Sequence, residues 1–368
     1  MGGLKRQASI ASSAGARDPF FAAEIRTIRN EHHPVQAQQK PAFASFTCRR
    51  CRTTPASIVE RIAPRRILPM HRAAYLLLLS TMLLWGGNSV AGKLAVGHVS
   101  PMTLVFLRWV MAVLILLPVG WRPLREDWPQ LRRHWRLVAA LGACGFTFFN
   151  VIFYTALNYT TAINVSIEQA AIPIVIILAN FAFFRLRVQA LQIVGVALTI
   201  VGVALTASHG DLHQLLKLNL NFGDAIMLVA VLCYSLYSVG LRLKPAIRWQ
   251  SLMLALSISA LLTSVPFFIW EVMAGRVIMP DASGWAIALY TALGASVVSQ
   301  IFYIRGNELI GANRAGLFIN LVPIFGTLLS VLIVGEQFEP YQALALALVL
   351  GGIALAEYSG SREALQMR

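Results

Sequence analysis

The sequence predicts an all-α polytopic membrane protein, ten transmembrane helices arranged as two inverted five-helix repeats. Three observations carry that prediction. The 368 residues are 57% hydrophobic and only 13% charged, with a mean hydropathy of +0.66; a soluble domain averages about 25% charged. From residue 73 onward, apolar runs long enough to cross a bilayer alternate with short polar breaks. Residues also recur at an offset of 150. This composition excludes an ordinary cytosolic enzyme, a disordered chain and a secreted disulfide scaffold.

Residues 1–69 form a basic tail rich in Arg, Ser, Ala and Gln, with no spanning run. Residues 1–72 hold 13 Lys/Arg and 4 Asp/Glu, which accounts for most of the formal charge of +15. The tail reads as a transit peptide, as a disordered cytoplasmic segment, or as sequence upstream of a mis-assigned start. The last is preferred, because Met70 precedes His71, Arg72 and then the first apolar run. Cys48 and Cys51 make a lone C-x-x-C there, which falls short of a zinc or redox motif.

The spans are expected at about 73–96, 101–121, 136–157, 161–184, 188–208, 223–242, 249–271, 284–304, 313–335 and 339–357. The third and fourth are separated only by the turn Asn158-Tyr-Thr-Thr161. Alternate loops collect the cations: Arg122, Arg125, Arg132, Arg133 and Arg136; Arg185 and Arg187; Arg242, Lys244 and Arg248; Arg305. The other loops hold only Lys217 and Arg276, alongside Asp211, Glu271, Asp281, Glu336 and Glu339. The positive-inside rule then places both termini, including the tail 358–368, in the cytoplasm of a bacterial inner membrane.

At the offset of 150, Ala162 meets Ala312, Pro173-Ile174 meets Pro323-Ile324, Gln192 meets Gln342, Gly202 meets Gly352 and Ala204 meets Ala354. Halves 73–208 and 223–357 would each contain five spans, so the second enters the membrane from the opposite side. Inverted repeats mark many secondary transporters, with the substrate site near the midplane between the halves.

Ionisable groups inside a span cost about 2.5–3.5 kcal/mol by insertion scales. Glu168 and Arg108 are the two deepest, at similar depth. Glu168 reads either as a proton- or cation-contacting group in a cavity or as a structural ion pair with Arg108 or Lys93. Lys93, near a helix end, reads as snorkelling. Trp85, Asn88, Asn150, Tyr154, Tyr234, Tyr303 and Asn320 are candidate pathway residues, with helix-bridging hydrogen bonds as the competing role. No P-loop, G-x-S-x-G or H-E-x-x-H is present, and every histidine falls in the tail or a loop. An enzyme, a cofactor and a nucleic-acid partner are therefore not expected.

Leu84-Trp-Gly-Gly-Asn-Ser-Val-Ala-Gly-Lys93 resembles the W-G-x-N-x-x-x-x-K opening of EamA-type carriers in the drug/metabolite transporter superfamily. Phe222-Gly-Asp-Ala with Cys233-Tyr-Ser-Leu-Tyr-Ser-Val239 resembles the start of that family's second repeat. Asn320-Leu-Val-Pro-Ile-Phe, Leu332-Ile-Val-Gly-Glu336 and Gln342 resemble its last two spans. The resemblance implies a carrier that moves small metabolites by alternating access, often as an exporter of amino acids or related compounds and in some cases with a proton as coupling ion. Its partners would be a small-molecule substrate and membrane lipid. The first repeat departs from the pattern: Phe184-Arg-Leu-Arg187 stands where the family often has Gly-Glu, a pair kept only at Gly335-Glu336.

Overall fold

The structure, a computed structural model, describes residues 67–185, 190–211, 221–311, 315 and 318–366. The segment before residue 67, Arg187, Lys217 and Arg314 lie outside the described residues. The described residues are helical with no strand. Among the described residues, eight helices are long and apolar enough to cross a membrane: α1 Ala73–Leu94, α2 Pro101–Glu126, α3 Trp135–Ala156, α4 Ala162–Phe183, α5 Ala190–Ala207, α6 Phe222–Leu243, α7 Trp249–Met273 and α8 Ala282–Ile310. Two shorter apolar helices follow, α9 Ile319–Val334 and α10 Pro340–Ala356. The chain is an integral, multi-pass membrane protein. Large apolar side chains such as Leu76, Leu114, Phe183, Leu262 and Leu332 face outward, as lipid contact requires.

Two helices run past their expected ends. α2 continues through Pro118 and Pro123 to Glu126, so Arg122 and Arg125 sit on its last turns and not in a loop. Proline loses one ladder bond, but in a membrane bundle packing against a neighbour offsets that loss; here Gly120 lies against Leu254 and Gln250 of α7. α8 continues to Ile310, its final turns carrying an Arg305–Glu308 pair at 2.8 Å.

The closest packing joins helices across the two halves: α5 with α10, α2 with α7 and α8, α3 with α7, α4 with α9, α1 with α8 and α9, and α6 with α3 and α4. Shifting every helix number by five maps this set onto itself. Two kinds of helix irregularity obey the same shift, although a further π-helical turn at Ser330–Val334 of α9 has no counterpart in α4. α3 widens to a π-helical turn at Ala143–Phe148 and α8 at Tyr290–Val298. α4 restarts at Ile172 with Pro173, and α9 restarts at Val322 with Pro323.

Two of these pairs are held differently. α5 and α10 meet through small residues: a Cβ on Gly352 would lie 2.4 Å from Thr199 Oγ1 and 2.5 Å from the Gly195 carbonyl. α2 and α7 cap each other. The buried Glu271 near the end of α7 accepts hydrogen bonds from the Met102 and Thr103 amides and the Ser100 hydroxyl at the start of α2. At the other end, Asp127 accepts from the Arg248 amide and the Ser251 hydroxyl at the start of α7, and Arg248 also pairs with Glu126 at 2.6 Å. Each acid satisfies amides that a helix start leaves without a partner.

Gly352→Leu is expected to overpack the α5–α10 contact and destabilise the protein by about 1–3 kcal/mol, read as a lower melting temperature in detergent. Arg248 and Ser251 hold the Asp127 carboxyl below its ordinary value of 3.8. Its stabilising contribution is therefore present above that value and disappears as pH falls through the lower folded value. Melting curves of wild type and Asp127→Asn should differ at neutral pH and converge in acid below 3.8.

Candidate functional site

The polar core is built around α1. Gly86, Gly87 and Gly92 let three neighbours reach its backbone. A Cβ on Gly86 would lie 2.7 Å from the Gly326 amide of α9, and one on Gly87 would lie 2.3 Å from the Tyr290 hydroxyl of α8. One on Gly92 would meet Leu157 and Tyr154 of α3. Small residues allow such approach where apolar burial supplies no drive between helices in lipid. Tyr290 closes its own gap by donating to the Leu84 carbonyl at 2.9 Å.

Arg108 points from α2 into this core and is 6% exposed. Its Nε donates to Ser296 Oγ of α8 at 2.7 Å. Its Nη1 donates to Asn88 Oδ1 of α1 at 3.1 Å, to Asn150 Oδ1 of α3 at 3.0 Å and to the Tyr154 hydroxyl of α3. Tyr154 in turn donates to Asn88 Oδ1 at 2.8 Å. The guanidinium carbon lies 5.3 Å from the Trp109 ring centroid and 6.0 Å from that of Tyr154, both within cation–π range. Every oxygen around it is neutral, and among the described residues no carboxylate forms an ion pair with it. Nη2 makes no hydrogen bond to a described residue.

Glu168 ends the first segment of α4 and is 0% exposed, and neither carboxyl oxygen has a hydrogen-bond partner. The ion pair with Arg108 or Lys93 that equal depth allowed is not formed. Lys93 donates instead to the Leu157 and Thr160 carbonyls at 3.0 and 2.7 Å, closing the C-terminal end of α3. Next to Glu168, Gln169 donates to Ser89 Oγ at 3.1 Å. The adjacent α1 residues Asn88 and Ser89 thus touch the Arg108 cluster and the residue beside Glu168.

Aromatic rings line the rest. Trp85 donates from its indole nitrogen to Ser299 Oγ at 2.9 Å and packs on Tyr303 with centroids 5.4 Å apart. Tyr234 sits between Phe149 and Tyr237, at 5.0 and 5.5 Å. Tyr237 covers the space a side chain at Gly145 would need. Asn320 lies half-buried in the tight turn Ile319–Leu321 that opens α9. Asn88, Arg108, Asn150 and Tyr154 therefore form one hydrogen-bonded cluster; Trp85, one turn away on α1, pairs instead with Ser299 and Tyr303, and Tyr234 belongs to an aromatic layer with Phe149 and Tyr237.

Sequence reasoning missed three contributors, Tyr290, Ser296 and Ser299. All lie in or beside the π-helical turn of α8, and hydroxyls in an apolar helix carry no distinctive signal. His209, which the sequence places in a loop, nevertheless reaches a buried acid. His209 has a left-handed backbone (φ 51°), and its Nε2 reaches Oδ2 of the fully buried Asp224 at 2.9 Å. Thr160 donates to the other Asp224 oxygen. Nearby, the Glu336 carboxylate accepts from the Ala162 and Ile163 amides at 2.8 and 3.0 Å, so the acid of the Gly-Glu pair caps α4 of the other half.

The sequence profile of the EamA-like transporter family matches residues 72–208 and again residues 221–358. The chain belongs to this family. Similar proteins include the uncharacterized transporter YyaM of Bacillus subtilis (strain 168), 24% identical over 78% of this chain and 94% of its own. YetK of the same strain, another uncharacterized transporter, is 25% identical over 78% of this chain and 87% of its own. An uncharacterized transporter of Archaeoglobus fulgidus is 25% identical over 78% of this chain and 98% of its own. A crystal structure shares the fold with a TM-score of 0.55 at 19% identity, over 79% of this chain and 98% of its own.

Ser296→Ala removes one of the neutral oxygens around Arg108. It should cost about 1.5–3 kcal/mol, the range for a hydrogen bond to a charged group, read as a drop in thermal stability with membrane insertion unchanged.

Proposed function

We propose that this EamA-family transporter is a secondary carrier that exports small amino-acid-like or amphipathic metabolites by alternating access. Its two halves, 73–208 and 223–357, act as inverted five-helix repeats with both termini in the cytoplasm of a bacterial inner membrane. The observation that carries the substrate reading is a buried guanidinium, Arg108, and a buried carboxyl, Glu168, neither of them in an ion pair among the described residues. An uncompensated buried charge is costly and in a membrane helix marks a functional site. A zwitterion answers both needs. Its carboxylate meets the open edge of the Arg108 fork, a geometry suited to carboxylates, and its ammonium meets the Glu168 carboxyl. A proton on Glu168 in place of the departed ammonium gives exchange of substrate for proton. The aromatic wall of Trp85, Tyr303 and Tyr234 accommodates an apolar side chain.

The five-helix inverted repeat is supported by the packing set that survives a shift of five helices and by the paired π-turns and prolines. A nucleotide-sugar or organic-phosphate antiporter of the same superfamily is less favoured. It needs several cavity cations for the phosphates, and Lys93 is committed to two carbonyls, leaving Arg108. An intramembrane enzyme ranks lowest, because the family is one of transporters.

Counterflow in proteoliposomes with an amino acid, its decarboxylated amine and its deaminated acid tests this reading. Wild type should prefer the intact zwitterion over either analogue by roughly 10- to 100-fold, the worth of one charge-assisted hydrogen bond. Glu168→Gln should erase the preference over the deaminated acid and flatten the pH dependence of flux. Arg108→Gln should erase the preference over the amine. Counterflow by none of the three, or a Glu168→Gln pH series that matches wild type, would sink the proposal.

A further inference from the structure

The arginine-rich end of the bundle contains a groove of about 580 Å³ that the transport reading does not use. One wall is the short helix Trp128–Arg133 that follows α2, with His134, and the other is the loop Leu243–Ala246 after α6. Arg133, Lys244, Gln130 and His134 supply its polar lining. Arg133 and Lys244 are exposed and form no ion pair among the described residues. The nearest acids in sequence, Glu126 and Asp127, are both engaged by Arg248. His134 points one ring nitrogen at the Gln130 carbonyl, 3.0 Å away. The groove is therefore a concave surface with two cations and no carboxylate to answer them.

Its depth in the membrane follows from its neighbours. Trp121, Trp128 and Trp135, on the elements that lead into and out of the short helix, are each at least half exposed. Arg136 lies 5.7 Å from the Trp135 ring centroid. Exposed tryptophans at helix ends settle at the level of the lipid headgroups. Leu243, 58% exposed on the groove's rim, extends the apolar surface beside it.

We propose that this groove binds the phosphate of an anionic phospholipid headgroup, held between Arg133 and Lys244. Arginine offers paired donors to phosphate oxygens and lysine a point charge. Basic pockets at headgroup level select anionic over zwitterionic lipids. The site joins the end of the first half's α2–α3 connection to the α6–α7 connection of the second, so an occupied groove ties the two halves at this face.

The full chain, delipidated in detergent, is titrated with phosphatidylglycerol, phosphatidylcholine or inorganic phosphate and followed by thermal shift and native mass spectrometry. Phosphatidylglycerol should bind and raise the melting temperature, and phosphatidylcholine should do neither. Arg133→Gln with Lys244→Gln should weaken the phosphatidylglycerol effect roughly 10- to 30-fold, given about 1 kcal/mol for each interfacial cation. Arg133→Lys with Lys244→Arg should keep most of it. Arg122→Gln with Arg125→Gln removes the same charge from the same face outside the groove and should leave binding within about twofold of wild type, since only the long-range field changes. Equal binding by the Arg133/Lys244 glutamine variant, or an equal loss in the Arg122/Arg125 variant, would overturn the proposal. Protection by inorganic phosphate alone, lost in the same groove variant, would reassign the site to a soluble phosphate and refute the lipid. If the double variant does not purify, Arg133→Gln alone carries the comparison with a smaller expected loss.

Discussion

A buried guanidinium with no carboxylate partner among the described residues must be solvated by neutral groups of the protein, and that requirement organises the core. Arg108 takes its oxygens from Asn88, Asn150, Tyr154 and Ser296, on three different helices drawn from both halves. Each helix must therefore hold both its depth and its rotation. The sequence supplies the means at each point. The glycines of α1 bring Tyr154 and Tyr290 against its backbone. The π-turns of α3 and α8 lie next to the residues that supply the oxygens; Asn150 donates to the Phe146 carbonyl inside the first, and Ser296 donates to Thr291 inside the second. Such wider turns recur at functional sites.

Around this core, the pairs that cross between the halves differ in how they are fastened. α2 and α7 are tied by acids at both ends, and α5 and α10 by backbone-to-backbone contact along glycines. α8 meets α1 through aromatic rings and single hydrogen bonds, such as Trp85 to Ser299, while α9 approaches it backbone to backbone at Gly86 and Gly326. Interfaces tied by acids or by backbone contact cannot slide without exposing helix-start amides or colliding backbones. The α1–α8 seam can exchange a water or a ligand group for a hydroxyl at little cost. The fastening is thus tight on the frame and between α1 and α9, and looser along the α1–α8 seam.

Much of this was legible in the sequence, because in a membrane protein composition writes the helices directly. The span limits agree with the structure within a few residues, except that α2 and α8 run on to Glu126 and Ile310 and the described part of α9 begins at Ile319 where 313 was expected. Pro118, Pro123 and Arg305 are tolerated because neighbouring helices and a local ion pair supply what the ladder lacks. Asn88, Arg108, Asn150 and Tyr154 stood out as polar groups in apolar runs. What the sequence could not supply is azimuth. Glu168 and Arg108 share a depth, and depth along an axis says nothing of which way two side chains point. The same gap concealed Ser296 and Ser299, ordinary residues until a π-turn aims them inward, and His209, whose left-handed backbone turns its ring back to Asp224.

The acids make the case for Glu168 from the other side. This chain places its carboxylates where helix starts leave amides bare: Asp127 on α7, Glu271 on α2, Asp281 on its own helix, Glu336 on α4. Glu126 and Glu308 meet arginines, and Asp224 meets a histidine and a threonine. Each position has a local physical reason for a negative charge. Glu168 has none: it lies at the end of a helical segment, where the free groups are carbonyls, and both oxygens are buried without a donor. Glutamine or methionine would fill that space with no charge to solvate. A carboxyl kept at such a place, in a core that also holds a guanidinium with no carboxylate partner among the described residues, is the physical ground for the zwitterionic substrate proposed above.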